Sequence, residues 1–115
     1  MLPTTGKKEM MIPETRPTHP GVFVREDILT ELGLTQEELA HWLGVSRRSI
    51  NQLANGKRGI TADMALRLGK FTNTSPQLWL NLQTSVDLWD AAHTTNVLDT
   101  IQLYSRPSGT VPVSA

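Results

Sequence analysis

Five side chains within one short stretch, Ser46, Arg47, Arg48, Asn51 and Gln52, are of the types that read nucleic acid. An arginine can pair bidentately with O6 and N7 of guanine, and an asparagine or glutamine with N6 and N7 of adenine. A serine reaches bases or phosphate oxygens. On a helix, Asn51 and Gln52 follow Arg47 and Arg48 one turn on, so the four share one face. From Gly44 to Ile60 the chain carries Arg47, Arg48, Lys57 and Arg58 and no acid at all. The chemistry this pattern suits is docking on a polyanion with base readout. Arg47 and Arg48 open the helix and would reach deepest into a major groove. Asn51 and Gln52 can meet adenine or a phosphate.

Presenting that row requires a helix, and a second helix to brace it. Residues 35–61 read TQEELAHWLGVSRRSINQLANGKRGIT, and the spacing predicts a helix-turn-helix. Thr35 can cap a helix over about 35–43, with Glu37 and Glu38 in its first turn facing the positive end of the macrodipole. Leu39, Ala40 and Leu43 fall on one face, Ala40 small because the next helix crosses close to it. Gly44 serves the tight turn, and Ser46 caps a helix over about 46–54 anchored by Val45, Ile50 and Leu53. Asn55-Gly56 closes it with a left-handed residue. Gln36 at the start of the first motif helix, and Asn55, Lys57 and Arg58 in the following loop, are candidates for the DNA backbone. The lesser alternative for Lys57 and Arg58 is a solvated loop, and Asn-Gly is a good cap in any case.

The whole chain has 115 residues, enough for one domain with a single small core. Hydrophobic residues make up 38% and aromatics only 5%, and strand signals are thin, so an all-α domain is expected. No apolar run could span a bilayer and no signal-peptide core is present, which excludes a membrane partner. With no cysteine, disulfides and thiolate metal sites are excluded, and the pattern fits a cytoplasmic protein. The formal net charge is zero, so the basic face is offset elsewhere, notably by Glu26, Asp27, Glu31, Glu37 and Glu38. A neutral protein with one basic face binds DNA modestly as a monomer and well as a dimer. Dimerisation is therefore expected.

Around the motif the chain reads as three parts: an arm over 1–18, a helical domain over 19–92 and a tail over 93–115. Pro20 suits the first turn of a helix running to about Leu32, with Val24, Ile28 and Leu32 as its stripe and Gly33 as its end. Thr61 caps a fourth helix over 62–72 with Met64, Ala65, Leu68 and Phe71 inward. Ser75-Pro76 starts a fifth, running to about Ala92. Trp79, Leu82, Val86 and Trp89 follow one stripe of that helix, while Leu80 and Leu88 lie off it. Either the tail folds over the extra apolar face, or Leu80, Leu88 and Trp89 form a homodimer seam, the reading preferred here. Ile101 and Leu103 alternate with polar neighbours in a weak strand pattern. Trp42, on the outer half of the second helix, is expected to pack over the first helix, with an exposed partner patch as the alternative.

With these residues in place, the chain resembles the HigA family of antitoxins, a branch of the Xre/Cro-type repressors of lambda-repressor-like fold. The resemblance rests on HPG-V-REDIL at 19–29, on the motif at 33–61 and on ADMALRLGKFTNTSPQLWLNLQTSVDLW at 62–89. It implies a five-helix Xre/Cro-like domain that binds operator DNA as a homodimer and represses its own operon. It also implies that the protein neutralises a HigB/RelE-like, ribosome-dependent mRNA endonuclease. Base contacts then fall mainly on Arg47, Arg48 and Gln52. A toxin that works on mRNA should be basic, so acidic or apolar surfaces away from the DNA face are candidates for it. These are the arm with Glu9, Glu14 and Met10-Met11-Ile12, the first helix with Glu26, Asp27 and Glu31, and the tail with Asp99, Ile101, Leu103 and Tyr104. The N-terminal side is preferred, because the first helix borders the arm and concentrates negative charge away from the DNA face.

No catalytic, cofactor or metal constellation emerges. His19, His41 and His93 are far apart with no second ligand or base at a useful spacing, and the chain lacks metalloprotease, phosphate-loop and nucleophile-elbow motifs. The alternatives to an antitoxin are a stand-alone Xre-type regulator without a toxin, and an adaptor that has lost DNA binding. The intact Arg47, Arg48, Asn51, Gln52 row argues against the adaptor.

Overall fold

The structure is a computed structural model that describes residues 12–107. It is all-helical, with five helices as expected and a sixth of one turn: α1 (Pro20–Phe23, continuing as a π-helix over Val24–Thr30), α2 (Gln36–Leu43), α3 (Arg47–Ala54), α4 (Ala62–Thr72), α5 (Pro76–Thr94) and α6 (Val97–Thr100). The expected Glu9 and Met10-Met11 sites, and the last residues of the tail, lie outside the described residues.

Side-chain caps set where the helices start. Thr35 and Glu38 close a reciprocal box, Oγ1 of Thr35 accepting from the Glu38 N–H at 3.0 Å and Oε1 of Glu38 from the Thr35 N–H at 2.9 Å. Ser46, Thr61 and Ser75 cap α3, α4 and α5 in the same one-way fashion. Gly44 ends α2 with φ +70°, the left-handed conformation that lets the chain turn at once into α3. One core joins all of α1–α5: Val24 and Ile28, Leu39, Ala40 and Leu43, Ile50 and Leu53, Ile60, Met64, Ala65 and Leu68, and Trp79. The Trp79 indole satisfies its N–H by donating to Oγ1 of Thr74 at 3.0 Å.

The first helix departs from the expected stripe. Its backbone widens to i→i+5 bonding over Val24–Thr30, with the Glu31 N–H reaching the Glu26 carbonyl, and the Thr30 hydroxyl donating to the Arg25 carbonyl at 2.9 Å. A π-turn advances each residue less far round the axis than an α-turn, so the stripe drifts. Val24 and Ile28 are buried, Leu29 packs against the core in place of Leu32, and Leu32 is 58% exposed. Where α1 meets α3 the approach is backbone to backbone: a Cβ on Gly21 would sit 1.9 Å from the Leu53 carbonyl oxygen. Only glycine fits there.

Three further expectations are corrected. Trp42 does not lie over the first helix; it is 66% exposed and tilts against Phe71 of α4 with ring centroids 5.9 Å apart. Leu80 is not off the packed face of α5, since it is half-buried against the core, whereas Leu88 is exposed. Trp89 is half-buried and stacks on His93 at 3.7 Å. Beyond α5 the chain forms α6 and then an irregular segment, with no strand at Ile101 and Leu103 among the described residues.

Candidate nucleic-acid interface

α3 is held by its buried side and shows the other. Ile50, Leu53 and Ala54 are buried, while Ser46, Arg47, Arg48 and Asn51 are exposed and Gln52 is half-buried. Among the described residues neither Arg47 nor Arg48 has a hydrogen-bond or ion-pair partner within the chain. Ser46 is committed locally: its Oγ caps α3 through the Ser49 N–H at 3.1 Å and lies 2.9 Å from the Ser49 hydroxyl. The structure brings Gln36 to the same surface, its Oε1 accepting from Nδ2 of Asn51 at 3.1 Å. That bond joins the start of α2 to the middle of α3 and aligns the two amides.

The loop after α3 lies alongside. Arg58 reaches back to donate to the Ser49 hydroxyl at 2.8 Å, which places its guanidinium beside the first turns of α3. Asn55 and Lys57 are exposed, and Gly56 takes φ +71°. Backbone bonds from Asn55 to Asn51 and from Lys57 to Gln52 fold the loop tightly onto the helix end. The result is a surface with four cations and no acid between Gly44 and Ile60.

Sequence reading missed the residues that fix this surface in place. Arg67 of α4 donates through Nη1 to the carbonyls of Leu43, at 2.7 Å, and Gly44, at 3.2 Å, while its Nε pairs with Asp63 at 2.7 Å. Arg25 of α1 donates to the Ala54 carbonyl at 3.1 Å. Each guanidinium thus satisfies free carbonyls at the negative end of a motif helix. Gln83 of α5 accepts from the Ile60 N–H at 2.8 Å and donates to Asp87 at 2.9 Å. The Asp63–Arg67 spacing of four was the one readable signal among these.

A second polar cluster joins the arm to the same loop. Arg16 forms a two-pronged ion pair with Asp90 of α5, at 2.8 and 3.0 Å, so this part of the expected arm is anchored. The pair raises the Arg16 pKa and holds the Asp90 carboxyl below its usual range. His19 caps α1, its Nδ1 accepting from the Gly21 N–H at 2.9 Å. Burial and the nearby Arg16 charge lower the His19 pKa, against the opposing pull of Asp87 and Asp90. Among the described residues no cluster of His, Asp or Glu could hold a metal ion, and no helix is long and apolar enough to cross a membrane.

On the acidic side, Glu26, Asp27 and Glu31 are exposed along α1, with Glu26 paired to Arg25 at 3.0 Å. Asp27 lies on the rim of an apolar groove between α1, α4 and α5, about 600 Å³ in volume.

Comparison with known proteins agrees with this architecture. A helix-turn-helix family model matches residues 25–79. An uncharacterised HTH-type transcriptional regulator of Haemophilus influenzae is 41% identical over 78 residues, covering 68% of this chain and 73% of the relative. Antitoxin HigA-1 of Vibrio cholerae is 37% identical over 75 residues, covering 65% of this chain and 70% of the relative. The structure of the Pseudomonas aeruginosa antitoxin HigA with the higBA promoter superposes with a TM-score of 0.67 at 40% identity, covering 74% of this chain and 91% of that one. With the helix order, the motif and these likenesses in agreement, the chain belongs to the HigA family of helix-turn-helix antitoxins.

Proposed function

We propose that this protein is a dimeric autorepressor that binds operator DNA through α3 and neutralises a RelE-like mRNA-cleaving toxin encoded beside it. The observation that carries the DNA reading is the pair Arg47 and Arg48, exposed and unpaired within the described chain at the first turn of a helix braced from both ends. In this reading Arg47, Arg48 and Gln52 meet base edges with Asn51 beside them. Gln36, Asn55, Lys57 and Arg58 hold the sugar–phosphate backbone, and Ser46, expected at the base edges, is engaged in capping α3. The similar Pseudomonas protein is seen with its promoter, which supports assigning an operator to this chain. Two copies joined through α5, with Leu88 and Trp89 at the seam and Leu80 behind them, would present two α3 helices about 34 Å apart, one turn of DNA.

The toxin reading rests on family membership and on charge. Glu26, Asp27 and Glu31 are exposed on α1 and supply the acidic surface that α3 and its loop lack, with Glu26 joined through Arg25 to the end of α3. Co-expression with the product of an adjacent small basic reading frame tests it. The antitoxin reading expects a stable co-purifying complex, restored growth, and tight binding of the purified protein to its own promoter. Promoter binding without toxin capture would leave a stand-alone regulator. Toxin capture without promoter binding would overturn the repressor half.

A further inference from the structure

The groove between α1, α4 and α5 is open, although its walls are apolar. Phe23, Leu32, Phe71, Leu78 and Leu82 line it, and Asp27 is the one charged residue among those lining it. The π-helical drift of α1 is what puts Leu32 there instead of in the core. At the other end of the same molecule the chain leaves α5 and carries a second unpartnered apolar surface. Ile101, Leu103 and Tyr104 are all largely exposed, Leu103 at 91%. In an extended segment Ile101 and Leu103 point the same way. Arg106 is the only charge between Thr100 and Pro107. An exposed segment with apolar side chains and one cation, and an apolar groove with one anion, are complementary in polarity and in sign.

We propose that residues 101–106 of one copy seat in the α1–α4–α5 groove of a second copy, reciprocally, so that the dimer is closed by exchanged tails. This inference rests on the α5 dimer proposed above and adds an interface to it. If two copies pair along α5 with the helices antiparallel, the end of one α5 comes beside the start of the other. The start of α5 is where Leu78 and Leu82 form the groove wall. A tail leaving the end of the partner's α5 is then delivered to the groove, while its own groove, walled by Leu78 and Leu82, lies about 18–24 Å back along α5. Arg106 follows Leu103 by three residues, about 10 Å along an extended chain, within reach of a rim carboxylate such as Asp27. Glu26 and Glu31 do not line the groove and stay open to other partners.

The chain has no cysteine, so single introduced cysteines report contacts without background. Mixing the Leu32→Cys and Leu103→Cys variants of the full-length protein under mild oxidation should give a disulfide-linked heterodimer, whereas Asn51→Cys mixed with Leu103→Cys should not. Truncation after Thr100 should raise the dimer dissociation constant at least tenfold by sedimentation. Asp27→Arg and Arg106→Asp should each weaken the dimer, and the two reversals together should restore it. A mixed sample that never cross-links overturns the proposal. So does a Leu32→Cys/Leu103→Cys chain that closes only within itself. A truncated protein that dimerises as tightly as the full chain removes the tail while leaving the α5 seam standing. A full-length protein that is monomeric at micromolar concentration removes both.

Discussion

Gln83 and Ile60 are joined by a hydrogen bond of 2.8 Å, from a backbone N–H at the end of the loop after α3 to a side chain on the long α5. Gln83 lies so close to the loop that a Cβ on Gly59 would come within 3.0 Å of its amide. The helix proposed to pair two copies therefore also fixes the backbone behind Lys57 and Arg58. In the proposed dimer that one amide would link the pairing helix to the loop.

Gln83→Met keeps the shape and removes the acceptor, stranding a partly buried N–H. The variant should lose about 1–3 kcal/mol of stability in urea unfolding. It should also weaken DNA binding alike for operator and unrelated sequences, because it loosens backbone contacts and not base readout. Unchanged stability together with unchanged binding would show that the loop stands without it.

Arg67→Met should destabilise the fold by about 1–2 kcal/mol, since it strips the Leu43 and Gly44 carbonyls of a charged donor at the motif turn. The urea midpoint should fall with the slope unchanged. A matched loss in Asp63→Ala would assign the effect to the surface ion pair instead.

Gly21→Ala should cost more than about 2 kcal/mol, because the added carbon meets the Leu53 carbonyl and not a movable side chain. Thermal unfolding measures it. A Tm within a degree or two of the parent would mean that α1 shifts freely on α3.

His19 predicts a pH dependence. Its folded pKa is lowered from the ordinary 6.5, so the unfolded chain binds the proton more readily. The contribution to stability is complete above that value and is lost as pH falls through it toward the folded pKa. The sign agrees with geometry, since a protonated Nδ1 cannot accept from Gly21. His19→Asn keeps a cap without titrating. Unfolding free energy measured from about pH 8 to pH 5 should decline in the parent and stay flatter in the variant. Asp90 acts only in a more acid window, below its ordinary 3.8. Parallel curves for parent and variant would remove His19 from the account.

Local rules carried the motif. Thr35, Ser46, Thr61 and Ser75 each cap the helix that their position announced, and Gly44 turns where a left-handed residue was needed. Leu39, Leu43, Ile50 and Leu53 are buried as their spacing required. What escaped was tertiary or depended on helix type. Leu32 follows an α-helical stripe in the sequence, and nothing in the residues of α1 announces i→i+5 bonding. Leu80 is covered by neighbours that are distant in the chain. Arg25, Arg67 and Gln83 act on carbonyls and N–H groups of other elements, and such reach has no period to read. The candidate interface was legible because its residues, Gln36 of α2 apart, lie within one helix and the loop after it. The clamps behind it come from three other helices.

We assign base reading to α3 and the hold on the DNA backbone to the loop that follows it. Operator affinity measured over a salt series for the parent and for Arg47→Ala, Arg48→Ala and Lys57→Ala tests it most directly. Each arginine variant should lose about 1–3 kcal/mol on the operator and relax preference at particular base positions. Lys57→Ala should weaken all sequences equally and lower the salt slope by about one per half-site. Arginine variants that bind the operator like the parent, or a Lys57→Ala protein that alters sequence preference while Arg47→Ala does not, would contradict it.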